Sequence, residues 1–101
     1  MQQASQPEMA IYQALVKLIG EESFTFQLSD FHIPRLSLVI SVIGIYYGNP
    51  DTLARDTSQR LALEGQGIRT IYIDEDAALR NANYYTAEAL EYRSHNLLAR
   101  R

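Results

Sequence analysis

The stretch "RLSLVISVIGIYY", residues 35–47, decides what this chain folds into, because it can be read with two periods. With period 2, both of its faces are apolar, as in a central strand covered on each side. With period 3.6, Ser37, Ser41, Gly44 and Gly48 line up as one stripe of small residues, as on a helix packed closely against another. Val39, Ile40, Val42, Ile43, Ile45, Tyr46 and Tyr47 are β-branched or aromatic. Such side chains lose rotamer freedom in a helix and pack well on a pleated surface. The stretch is therefore read as a strand, and the helix is kept as the alternative.

The flanking segments carry clearer punctuation. Residues 5–20 predict a helix: Ser5 caps it, Glu8 completes a capping box, Pro7 suits the first turn and Gly20 stops it. Ile11, Leu15, Leu18 and Ile19 share its inward face. Residues 23–28 alternate, with Phe24, Phe26 and Leu28 on one side, and predict a half-buried strand. The segment "SDFHIP" breaks that pattern, and Pro34 pushes His32 and Ile33 toward extended geometry. Residues 49–65 predict a helix capped by Asn49, with Pro50 at its first position and Asp51 at the positive end of its dipole. Residues 68–73 predict a strand. Residues 74–83 predict a loop or a short helical turn begun by Asp74. Residues 86–100 predict a last helix capped by Thr86.

The resulting order is helix, strand, strand, helix, strand, helix. Residues 36–73 form a βαβ crossover with two parallel strands. The expected fold is a small α+β domain: a mixed sheet with a central βαβ unit, flanked by the N- and C-terminal helices. With 35–47 as a helix instead, the order becomes that of a winged helix. A chain of 101 residues is one domain with one modest core.

The segment 43–76, "IGIYYGNPDTLARDTSQRLALEGQGIRTIYIDED", resembles in outline the strand–helix–strand of a glutaredoxin-like domain. The redox cysteines and the following proline-bearing hairpin are missing. The resemblance therefore extends only to the shape shared by any βαβ unit.

Composition narrows the chemistry. With no cysteine in the chain, thiol nucleophiles, disulfides and zinc–thiolate sites are excluded. The net charge of −3 weighs against a nucleic-acid face. The N-terminus has no basic patch before an apolar run, so no secretory signal is expected, and the apolar run Leu36–Tyr47 is too short to span a bilayer. A cytoplasmic protein is expected.

Three sites follow from the residues. In a parallel pair both strands finish at one sheet edge, which brings Asp51 toward Asp74, Glu75 and Asp76. Carboxylates so placed suit Mg²⁺, and a phosphoryl-transfer or nuclease activity would follow. Capping and solvation account for the same residues without any metal, and no cofactor is expected. The two histidines, His32 and His95, read as structural or solvent-facing. The Gly48-Asn49-Pro50 corner starts a helix and does not cradle phosphate, since Pro50 lacks a donor and Asp51 repels an anion.

A winged helix would instead offer Arg55, Gln59 and Arg60 to the major groove of DNA. The third site rests on residue usage. Eight of the nine basic residues are arginine, and seven of the ten aromatics are tyrosine. Both types anchor protein interfaces. Tyr84, Tyr85, Tyr92 and Arg93 are the expected interface. The favoured function is a non-catalytic protein-binding module that regulates, inhibits or assembles. A homodimer, with the first and last helices paired across a two-fold axis, is expected.

Overall fold

The computed structural model describes residues 4–27, 30–44 and 50–95, with the backbone alone over 50–57. The readings placed on Leu28, Ile45, Tyr46, Tyr47, Gly48 and Asn49, and on the end of the helix expected over 86–100, lie outside those residues.

The first helix, α1 (Gln6–Ile19), forms as its punctuation predicts. The Ser5 hydroxyl accepts from the Glu8 amide at 3.2 Å, and the Glu8 carboxylate accepts from the Ser5 amide at 2.8 Å. Two amides left without helical partners are thereby satisfied reciprocally. Ile11 and Leu15 are fully buried, whereas Leu18 is 43% exposed, so the inward face is narrower than expected. Gly20, at φ 91°, takes the chain out of the helix in a conformation that disfavours a side chain.

Four strands follow in one sheet: β1 (Thr25–Gln27), β2 (Asp30–Ile33), β3 (Leu38–Ile43) and β4 (Arg69–Asp74), in that spatial order. The reading of 29–34 as a mere break is corrected. Those residues contain β2, paired antiparallel with β1 through Phe26 and Phe31. Asp30 and His32 alternate with the buried Phe31 and Ile33, a period of 2 too short to stand out beside Pro34. A single helical turn at Pro34–Leu36 and a left-handed Ser37 (φ 50°) return the chain into β3.

β3 answers the opening ambiguity as a strand. It pairs antiparallel with β2 and parallel with β4, and Leu38, Val39 and Ile40 are all buried, so both faces are covered. The winged-helix alternative needed a helix here and is set aside. The helix α2 (Pro50–Gly65) connects the parallel pair and packs on β4. The observed fold is the expected small α+β domain with a mixed sheet and a central βαβ unit.

The last helix is the largest correction. α3 spans Glu75–Leu90, not 86–100, and Thr86 is no cap but a fully buried residue in its interior. Ala78, Ala82, Thr86 and Ala89 recur at helical spacing and are small enough to bring α3 close against its neighbours. α3 packs against α1 within the chain. The inward face of α1 is therefore used within the chain, while the face expected of a helix over 86–100 lies in part outside the described residues. The core gathers Ile11, Leu15, Phe31, Ile33, Leu38 and Ile40 between these helices and the sheet.

Two substitutions test this packing by urea denaturation. Ser5→Ala should cost about 1 kcal/mol at unchanged m, the usual value of an N-cap. The Thr86 hydroxyl is buried with no hydrogen-bond partner. Thr86→Val keeps its shape and should leave stability unchanged or raised; a loss beyond about 1 kcal/mol would show that the hydroxyl is bonded after all.

Candidate functional site

α3 is continuous in outline but broken at Asn81, whose φ and ψ of −159° and 74° are not helical. The Asn81 side-chain oxygen accepts from the Tyr84 amide at 3.2 Å. That is the bond an N-cap makes to the third residue of its helix, so a new helical segment starts here. It carries Tyr84, Tyr85 and Glu88 in its first turns. The two tyrosine rings meet edge to face, with centroids 5.0 Å apart.

The segment closes just as specifically. The Tyr92 amide donates to the Ala89 carbonyl and the Arg93 amide to the Glu88 carbonyl. These are the two bonds of a Schellman turn. α2 ends with the same pair of bonds, and there Gly67 takes the left-handed position at φ 83°. In α3 that position is Tyr92, at φ 64°. A side chain there costs on the order of 1–2 kcal/mol. Two contacts offset the cost. The Tyr92 hydroxyl donates to the Leu36 carbonyl, and the Arg69 guanidinium lies 5.1 Å from the ring centroid.

The turn brings Arg93 and His95 back onto Glu88. The Glu88 carboxylate accepts from Arg93 Nη1 at 3.1 Å and lies 3.2 Å from His95 Nε2 and 3.5 Å from the Tyr84 hydroxyl. The His95 ring also sits 5.7 Å from the ring of Tyr84 and 5.5 Å from that of Tyr85. The Glu88 side chain is 15% exposed and that of Arg93 63%. An ion pair this open to water contributes at most about 1 kcal/mol. Holding the fold together is therefore a poor account of the cluster; what Glu88 does is arrange three side chains around itself. Beside them lies a small cleft of about 70 Å³, lined by Asp74, Ala77, Arg80, Tyr85, Arg93 and His95.

Of the expected interface, the structure brings Tyr84, Tyr85 and Arg93 together. Tyr92 stands apart, engaged with Leu36 and Arg69. Sequence reasoning missed Glu88 and Arg80, and it read His95 as a helical residue when it follows the helix end. A Glu seven residues before a His carries no motif, so only the turn at Tyr92 reveals their meeting.

The other expectations fall elsewhere. Asp74 and Asp76 lie at the end of β4, around a second cavity shared with Gly44, Glu75 and Arg80. The Glu75 carboxylate lies so close over Gly44 that a Cβ there would stand 2.6 Å from Oε1. The Asp51 and Arg55 side chains lie outside the description, while Gln59 is exposed and Arg60 half-buried on α2. Among the described residues, no group of three His, Asp or Glu is placed to hold a metal ion. Among them too, no helix is long and apolar enough to cross a membrane.

Comparisons with known protein families, with curated proteins and with solved structures return no match to this chain.

Glu88→Gln tests the arrangement. Stability should change by less than about 1 kcal/mol. The two tyrosine rings beside His95 should shift its ring-proton resonances in the native chain, and in the variant these should move toward those of a free histidine. Unmoved resonances would mean that Glu88 does not position His95.

Proposed function

We propose that this chain is a small non-catalytic protein-binding module, a regulator, inhibitor or assembly subunit acting in the cytoplasm. Its grip is the surface formed by Tyr84, Tyr85 and Arg93. The observation that carries this reading is the prearranged tyrosine pair. Tyr84 is 48% exposed, in edge contact with Tyr85, and tied to Arg93 and His95 through one carboxylate.

Tyrosine and arginine lead the residues that dominate interface energetics, because each offers a large stiff surface with a polar end. Fixing them before binding reduces the ordering cost that association otherwise imposes. The contribution of Tyr92 is to the framework, since its hydroxyl and ring are already occupied. A second copy of the chain is one partner such a surface would accept.

The test is capture from source-cell lysate by the tagged chain, with nuclease present. The native chain should retain a stoichiometric protein, or a second copy of itself. The double variant Tyr84→Ser/Tyr85→Ser should retain about tenfold less while keeping a folded amide spectrum, a control that is needed because Tyr85 packs against the core. Equal retention by both chains would reject the surface. A co-purifying nucleic acid that nuclease removes would replace the reading with a nucleic-acid one. Sedimentation velocity over a range of concentrations decides whether the partner is a second copy.

A further inference from the structure

Resting on that reading, we propose that the cleft beside the tyrosine pair is a subsite for a single carboxylate of the partner, carried on an acidic side chain. Its size sets the first limit. Pockets for cofactors or drug-sized ligands run to about 300–1,000 Å³. A cleft of about 70 Å³ admits one small polar group.

Its donors set the second limit. Arg80 and Arg93 both line it, together with Tyr85 and His95. Arg93 meets Glu88 and Glu91 through Nη1 alone. Among the described residues no contact is made through its Nη2 and Nε, the edge that forks onto a carboxylate. The one polar contact of Arg80 among the described residues is a long one, 3.4 Å from Nη2 to the Tyr85 hydroxyl.

Charge sets the third limit. The lining holds two guanidinium groups against the one carboxylate of Asp74. Glu88 and Glu91 meet Arg93 from outside the cleft, so it carries no surplus of positive charge that would hold a phosphate dianion, and its occupant is a monoanion held by directed hydrogen bonds. Glu88 is not part of the lining; it holds Arg93 and His95 in place. Tyr84, exposed next to the cleft, gives an apolar neighbour of that carboxylate somewhere to lie. The partner this surface fits therefore presents an acidic residue beside an apolar one.

The test uses the full isotope-labelled chain and three probes at equal ionic strength: N-acetyl-Gly-Phe-Asp-amide, its Asn counterpart, and inorganic phosphate. The signals read are the arginine Nε–Hε and His95 resonances. The Asp peptide should give saturable shifts at Arg80, Arg93 and His95. The Asn peptide should bind about tenfold more weakly, and so should the Asp peptide on Arg80→Gln or Arg93→Gln. Equal response to both peptides, tighter binding of phosphate, or no saturation up to the solubility limit would overturn the proposal.

Captured partner separates this idea from the one beneath it. Retention by Arg80→Gln with loss in Tyr84→Ser/Tyr85→Ser would end the carboxylate subsite and leave the tyrosine surface standing. Retention by both variants would end both. Arg80 is exposed, so its replacement should leave the amide spectrum of the folded chain intact, which the same experiment records.

Discussion

The arrangement depends on β3 having a different kind of neighbour on each side. Toward β2 it runs antiparallel, which a short connection permits; toward β4 it runs parallel, which demands a crossover. The crossover is α2, and its consequence is directional. β3 and β4 finish at the same edge, so the chain leaves β4 at Asp74 beside Ile43 and enters α3 from there. α3 then returns over the core against α1, and its end comes back to Leu36, where β3 begins. The tyrosine surface is thus placed by strand direction before any of its own side chains interact.

Local side-chain chemistry then refines that placement twice. Asn81 interrupts α3 and immediately restarts it, which sets the orientation of Tyr84 and Tyr85 independently of the first segment. Tyr92 ends it in a conformation that glycine adopts without cost, as Gly67 does at the end of α2. Using tyrosine there exchanges conformational ease for a tether to the sheet. With Gly at this position Arg93 and His95 would still turn back, but nothing would hold the turn against Leu36 and Arg69.

How much of this was legible depended on the range of the cause. The α1 capping box is written in four consecutive residues and was read in full. β3 was readable because β-branched residues outweigh its small-residue stripe, and the βαβ unit because Pro50 and Gly65 mark its helix. β2 was missed, since four residues beside a proline carry too little period to register. α3 was placed eleven residues late at its start because Thr86 looks like a cap in sequence. Only burial under α1 and the sheet makes that position interior. At the candidate site, Tyr84, Tyr85 and Arg93 were named from residue type, and the structure shows only that they lie together. Glu88 and His95 were not so named, because their meeting depends on a left-handed tyrosine that no short-range rule anticipates.

The register of the parallel pair also sets an order in which the chain can assemble. The β1–β2 and β2–β3 pairings close short loops, while Leu38 of β3 faces Arg69 of β4 across the whole of α2. Closing long loops is slow compared with closing short ones. In a chain delivered N-terminus first, β3 can pair with β2 before β4 is free to reach it. For that interval its other edge, Leu38–Ile43, is an open apolar strand, the kind of surface on which chains join to one another. Yield from an expressing cell should therefore be governed by how quickly α2 delivers β4, a property of the nascent chain that the stability of the finished fold does not report.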